Sequence, residues 1–580
     1  VRRSHNPLIV FLLLITLGAR PMAAQQPLTV ADSLMVEHLI DSLPLRAKVA
    51  QLVMPWVLGN YVPIDDSLYL VQQRWVDSLE VGGIISSIGT PTDVAIKLNR
   101  LQGLAKIPLL ISSDLEGGAS FRLTGGTVYP TNMGIAATGR DSDAYEVGRV
   151  TALEGRAAGI HLAFAPVADV NNNPRNPIIN TRSFGENPHQ VGRLVTATVK
   201  GLQDNGMLAT VKHFPGHGDT ETDSHIGLPV IPATLQRLDT LELVPFRDAI
   251  AAGVAVVMSA HVAVPAVIGE KGRPATLASS MLTGLLRDSL HFNGLVVTDA
   301  LDMAGVVNVY GAGEAAVQAF QAGTDLLLMP ASPAGAIESM TNAVETGRVS
   351  YERLTRSVRR ILQLKARLGL FRNRYASLDS VSTIVGSTRF QQAARDIATR
   401  SVVLVSDSAG TLDSLRAGPR KIAYITYGEE NAGSVGSIVA RQLRAAGHQV
   451  NAFRLWPASG KEAFDSAETL ARKNPYTIFA VSVRVTTAKG TIGLPEPVAE
   501  LIDKVSRRRR ALVVSLGSPY IGLGLEHLKS YLIGWGSSSV SEYAVGQAIA
   551  GRSAITGKLP VSLPPSYPIG HGLERLTTIP

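Results

Sequence analysis

Between positions 212 and 225 the chain gathers Lys212, His213, His217, Asp219, Asp223 and His225 into one short polar stretch. It follows the apolar run 207–211, which reads as a buried strand. A strand that opens into a polar loop is how a barrel or α/β sheet presents chemistry at its carboxyl edge. Histidine titrates near neutrality, so His225 could give a proton to a leaving oxygen and later take one from water. Asp223, two residues earlier, could orient that ring if the loop runs extended and places both side chains on one side. Taken alone, Asp-x-His also describes an ordinary surface loop. Three histidines with several aspartates could equally describe a metal site, although Gly216 and Gly218 around His217 fit tight turns better and no HExxH helix occurs.

Other apolar runs end in polar clusters of the same kind. After 108–111 come Asp114, Glu116 and, further on, Arg122. After 162–167 come Asp169, Asn171 to Asn173 and Arg182. After 254–258 come Ser259 and His261, and after 295–297 come Thr298, Asp299 and Asp302. Five polar strand ends in succession point to one site at a carboxyl face. Asp114, Asp169 and Asp299 supply the carboxylates that glycosyl transfer uses to trap an oxocarbenium-like centre. Asp299 is the best placed nucleophile, held at a strand tip by the apolar 295–297. The competing structural reading makes it the N-cap of the helix that follows.

These residues must be positioned by alternating strands and helices. From about 32 to 372, apolar runs at 81–85, 108–113, 162–167, 208–211, 254–258, 295–298 and 326–329 alternate with amphipathic stretches such as 144–158 and 313–322. At least seven such units favour a closed (β/α)8-like barrel, ending in a basic helix over 354–370. Residues 373–400 read as a linker with a helix. A second α/β series over 401–572, with strands expected at 401–405, 422–425, 476–485, 511–515 and 531–534, forms a three-layer sandwich. No phosphate-cradling GxGxxG or Walker loop occurs in it.

Bulk composition narrows the function classes. A chain of 580 residues is expected to form more than one domain, and 45% hydrophobic with 18% charged residues supports large cores. The net charge of +8 is thinly spread, and the basic run Arg507 to Arg510 reads as a solvated helix end, so nucleic acid is not an expected partner. With no cysteine there is no disulfide, thiolate metal site or cysteine nucleophile. Arg2 and Arg3, an apolar run over 8–17 and a small-residue exit at Ala24 describe a signal peptide over 1–24. The expectation is an exported, periplasmic or secreted protein with no stable membrane insertion after cleavage.

The stretch Lys212 to Pro229, with Asp114-x-Glu116-Gly117-Gly118, Arg122, Asn180-x-Arg182-Ser183-Phe184-Gly185 and Thr298-Asp299-Ala300-Leu301-x-Met303, resembles bacterial β-N-acetylglucosaminidases of glycoside hydrolase family 3. The second half, including Gly557 to Pro560, resembles that family's carboxy-terminal sandwich. The resemblance implies a retaining exo-hydrolase that needs no cofactor or metal and removes terminal β-linked N-acetylglucosamine. It makes Asp299 the nucleophile, His225 the acid/base and Asp223 its partner. Asp114, Arg122, Arg182, Lys212 and His213 become the residues that bind the sugar. The complete Pro-Gly-His-Gly-Asp and Asp-Ser-His loop favours N-acetylglucosamine over glucose, and export with a second domain favours peptidoglycan or chitin fragments as substrate. A phosphorylase of the same fold, a β-glucosidase, a zinc hydrolase and a sugar-binding protein without turnover remain as alternatives.

Overall fold

A computed structural model describes residues 28–269, 272–428, 435–483, 485 and 492–578. The expected signal peptide lies outside the described residues. Among the described residues no helix is long and apolar enough to cross a membrane.

The first part of the chain contributes nine short strands: β1 (Val53–Met54), β2 (Trp56–Val57), β3 (Gly83–Ser86), β4 (Leu110–Ser113), β5 (Leu162–Ala163), β6 (Leu208–Phe214), β7 (Val256–Ser259), β8 (Leu295–Val297) and β9 (Leu327–Leu328). All pair in parallel in the order β2-β3-β4-β5-β6-β7-β8. Val297 bridges to Leu326, and β9 pairs with β1 through Met54 and Leu328. Because β1 and β2 are one extended segment around Pro55, the ring closes as an eight-stranded barrel. The strands other than β2 are buried throughout, as expected where helices cover the outside and side chains fill the inside.

Helices form where the sequence supplies both a face and a cap. Residues Pro188–Asp204 start on Asn187, whose side chain accepts the His189 and Gln190 N–H groups, with proline at the first turn. Tyr351–Arg367 starts on Ser350 and buries Leu354, Val358, Ile361 and Leu362 along one stripe against the barrel. The segment expected as a linker forms two helices, Leu378–Ile384 and Thr388–Ser401, the second burying Phe390, Ala394 and Ile397.

The second sheet runs β10 (Val403–Asp407), β11 (Lys421–Gly428), β12 (Gln449–Leu455), β13 (Tyr476–Ser482), β14 (Arg510–Ser515) and β15 (Ser530–Ile533), in the spatial order β10-β15-β14-β13-β11-β12. All neighbours are parallel except β10 with β15. The second domain grips the barrel loop that follows β5. Glu186 donates its N–H to the Pro560 carbonyl at 3.2 Å, Ser562 bonds the Glu186 carboxylate at 3.0 Å, and Asn171 bonds the Tyr520 hydroxyl at 3.1 Å.

Candidate active site

The strand tips of the barrel carry one connected polar network. β6 runs three residues further than the apolar run indicated, so Lys212, His213 and Phe214 belong to the strand itself. Lys212 reaches across the barrel interior to Asp114 at 3.1 Å and Glu116 at 2.7 Å. Arg122 pairs with the other Asp114 oxygen at 2.9 Å. Arg182 grips Glu116 with two hydrogen bonds, 2.8 and 2.7 Å, and its guanidinium lies 3.4 Å from His213 Nε2. The five expected sugar-binding residues therefore form one chain of contacts: Arg122 to Asp114, Asp114 to Lys212, Lys212 through Glu116 to Arg182, and Arg182 to His213. Glu116 had drawn no role from the sequence, although it stands two residues from Asp114.

Burial and charge settle the ionisation of this network. Burial pushes Asp114 and Glu116 toward the neutral form, but Lys212 with Arg122, and Arg182 with Lys212, outweigh it, leaving Glu116 well below the usual carboxylate range. Lys212 is held above its usual range in turn, because Glu116 and Asp114 outweigh its own burial. Each long cation thus arrives charged and aimed, with donors left to grip hydroxyl oxygens.

Asp169 organises the next layer. It is fully buried, and its Oδ1 accepts the backbone N–H groups of His213 at 3.1 Å and His217 at 2.7 Å. Its Oδ2 holds His213 Nδ1 at 2.7 Å, which turns Nε2 toward Arg182. The chain can follow this path only with glycine at 218, where a Cβ would lie 1.7 Å from the Val170 carbonyl oxygen. The histidines of the stretch take three separate partners: Asp169 for His213, Thr220 for His217 and Asp223 for His225. Among the described residues no group of three His, Cys, Asp or Glu is arranged to hold a metal ion.

Asp223 and His225 meet, but not through an extended loop. The segment turns tightly, with the Ile226 and Gly227 N–H groups bonded to the Asp223 carbonyl. Asp223 Oδ1 accepts both the His225 backbone N–H at 2.9 Å and Nδ1 at 2.7 Å. This side-chain turn locks the ring by two contacts to one oxygen. The aspartate is buried while the His225 side chain is 34% exposed, and Nε2 makes no hydrogen bond among the described residues.

Asp299 follows β8 at the same mouth. The next helix starts at Ala304 with Met303 as its N-cap, so Asp299 caps nothing. Its Oδ1 accepts the Ala300 N–H at 2.8 Å. Burial would raise its pKa, but its interactions with His213, His261, the Ala300 N–H and the Lys212 ammonium together hold the carboxyl below its usual range. His261, noted at a strand end in the sequence but given no role, is fixed beneath by Nε2 to the Ala300 carbonyl at 2.9 Å and Nδ1 to Thr276 at 2.9 Å. A cavity of 510 Å³ opens beside Glu116 and Arg182, its far wall made by Leu516, Gly517, Trp535 and Ser538 of the second domain.

Comparison with known proteins agrees with this geometry. Residues 44–364 match the family described as Glycosyl hydrolase family 3 N terminal domain. The chain is 32% identical over 503 residues to a beta-N-acetylglucosaminidase/beta-glucosidase of Cellulomonas fimi, covering 83% of this chain and 88% of that protein. It is similar to the structure of a family 3 beta-N-acetylglucosaminidase from a Paenibacillus species, with 35% identity, a TM-score of 0.80 and coverage of 90% and 99%. A beta-glucoside phosphorylase superposes with a TM-score of 0.84 at 27% identity, over 92% of this chain and 97% of that one. With an ionised aspartate, an Asp-held histidine and a cation-rich pocket at one barrel mouth, and with these matches across both domains, the chain belongs to glycoside hydrolase family 3.

Proposed function

We propose that the protein is a retaining exo-glycosidase that removes terminal, non-reducing β-linked N-acetylglucosamine through a covalent glycosyl-enzyme. The observation that carries this reading is the division of labour between Asp299, whose carboxyl is held below its usual range at the strand tip, and His225, held at Nδ1 by Asp223 with Nε2 left to act. In the first step Asp299 bonds the anomeric carbon, the glycosidic C–O bond breaks, and the leaving oxygen takes the proton from His225 Nε2. In the second, neutral His225 takes a proton from water, the water oxygen bonds the anomeric carbon, and the Asp299 carboxylate is released. Asp114, Arg122, Arg182, Lys212 and His213 hold the sugar hydroxyls from both donor and acceptor sides. The basic and apolar amino terminus supports export, and with it a role on N-acetylglucosamine-containing fragments of peptidoglycan or chitin.

Asp299→Asn is expected to lower turnover of 4-nitrophenyl β-N-acetylglucosaminide by about 10⁴-fold, with circular dichroism unchanged. Turnover like that of the wild type would sink the nucleophile assignment. Phosphorolysis is a second reading, because a histidine acid/base does not repel an incoming phosphate as a carboxylate would, and a phosphorylase is among the similar structures. Release of the sugar 1-phosphate rather than free N-acetylglucosamine at high phosphate would select it.

A further inference from the structure

Trp56 occupies a place that none of the assignments above uses. Strand register carries the same face from neighbour to neighbour: Trp56 lies beside Ile85, Ile85 beside Ser112, Ser112 beside Leu162 and Leu162 beside Leu208. Lys212 lies four residues beyond Leu208 and Asp114 two beyond Ser112, so both share that face. It is the barrel interior, since Lys212 meets Asp114 across the intervening β5. Met54, two residues before Trp56, confirms the parity by accepting the Ser112 hydroxyl at 3.0 Å. Trp56 therefore faces inward at the carboxyl end of the barrel.

Its position around the ring is equally defined. The β1–β2 segment and β6 are four strands apart in either direction, so Trp56 stands across the mouth from the strand that bears Lys212, His213 and the His225 loop. Exposure separates it from the sugar-gripping groups. The Lys212 and Glu116 side chains are 4% and 7% exposed, whereas Trp56 is 37% exposed, close to the 34% of the His225 side chain. An isolated exposed aromatic needs no explanation on an outer surface, but this one faces into the mouth of the barrel that holds the site. The group released from the sugar must leave through that mouth.

We propose that Trp56 is the platform for the ring of the leaving sugar, and so determines selectivity for saccharide over small aglycones. The indole offers a rigid apolar face to the C–H face of a pyranose, while its edge tolerates water. The inference rests on the glycosidase reading above and names the aglycone class for that same site.

The test compares N,N′-diacetylchitobiose with methyl β-N-acetylglucosaminide in the full-length enzyme. Trp56→Ala is expected to lower the ratio of their kcat/KM values about tenfold, mainly through KM of the disaccharide. Trp56→Phe, which keeps an apolar ring, should recover most of that ratio. A ratio unchanged in Trp56→Ala, whether both substrates suffer equally or neither suffers, would overturn the inference and leave the glycosidase reading intact. Wild-type enzyme that cleaves neither compound would overturn the glycosidase reading, and the inference with it.

Discussion

Two Asp–His pairs meet at one barrel mouth, with both histidines in one stretch of chain. Asp169 holds His213 Nδ1 at 2.7 Å, and Asp223 holds His225 Nδ1 at 2.7 Å. In both, the aspartate also accepts the backbone N–H of its histidine. They differ in what the second ring nitrogen meets. His213 lies on a strand with a 7% exposed side chain, and its Nε2 faces the Arg182 guanidinium. His225 lies on a turn with a 34% exposed side chain, and its Nε2 points to no protein group among the described residues. The same hydrogen bond thus makes a fixed wall in one place and a proton carrier in the other. Chemistry is assigned by what the free nitrogen can reach, not by the pair itself.

The largest expected contrast is in leaving-group dependence. His225→Ala should slow hydrolysis of methyl β-N-acetylglucosaminide by roughly 10²–10⁴-fold and that of the 4-nitrophenyl glycoside far less, because only the poor leaving group needs a proton. His213→Ala should slow both by a similar factor, since it removes part of the sugar pocket. Equal losses for the two substrates in His225→Ala would erase the distinction between the pairs.

Stability should separate the pairs in the opposite sense. Asp169 is completely buried and satisfies three N–H groups, from His213 twice and His217 once. Asp169→Ala strands those donors away from water, at a cost of about 3–5 kcal/mol. Asp223→Ala frees a ring already in contact with solvent and should cost less, while lowering activity by about 10²-fold. Urea midpoints of the two variants measure this, and equal destabilisation would count against a structural role specific to Asp169.

Much of this was legible from residues because side-chain chemistry and strand period both leave local traces. Asp299 and His225 could be singled out since each follows an apolar run at a strand end. The hidden features depend on long-range closure. The first barrel strand was missed because Pro55 interrupts it and half of its ladder is made with β9, from the far end of the domain. β12 was missed because its edge position leaves Gln449, Asn451 and Arg454 in a half-exposed strand without an apolar run. Glu116 drew no role and Asp169 was grouped with the catalytic carboxylates rather than seen as a support, since their partners Arg182 and His213 lie over forty residues away in sequence. Trp56 offered no signal, as its face is fixed only by register.

His217 supplies the missing third case, a buried histidine without a carboxylate on its ring. Its Nδ1 meets the Thr220 hydroxyl at 2.8 Å and its Nε2 has no partner among the described residues. Burial dominates and, with His213 and Arg182 nearby, prevails over the opposing field of Asp169, so its pKa falls to about 4. Above the unfolded value of 6.5 both states are neutral and the fold keeps its full stability. As pH falls from there toward 4, the unfolded chain takes up a proton that the folded one refuses, and stability is lost across that window. At pH 4.5 the loss attributable to this ring is about 2–3 kcal/mol. His217→Asn should therefore show a smaller drop in urea midpoint between pH 7 and pH 4.5 than the wild type. An equal drop in both proteins would mean that the ring is protonated in the fold, and that Asp169 serves two histidines rather than one.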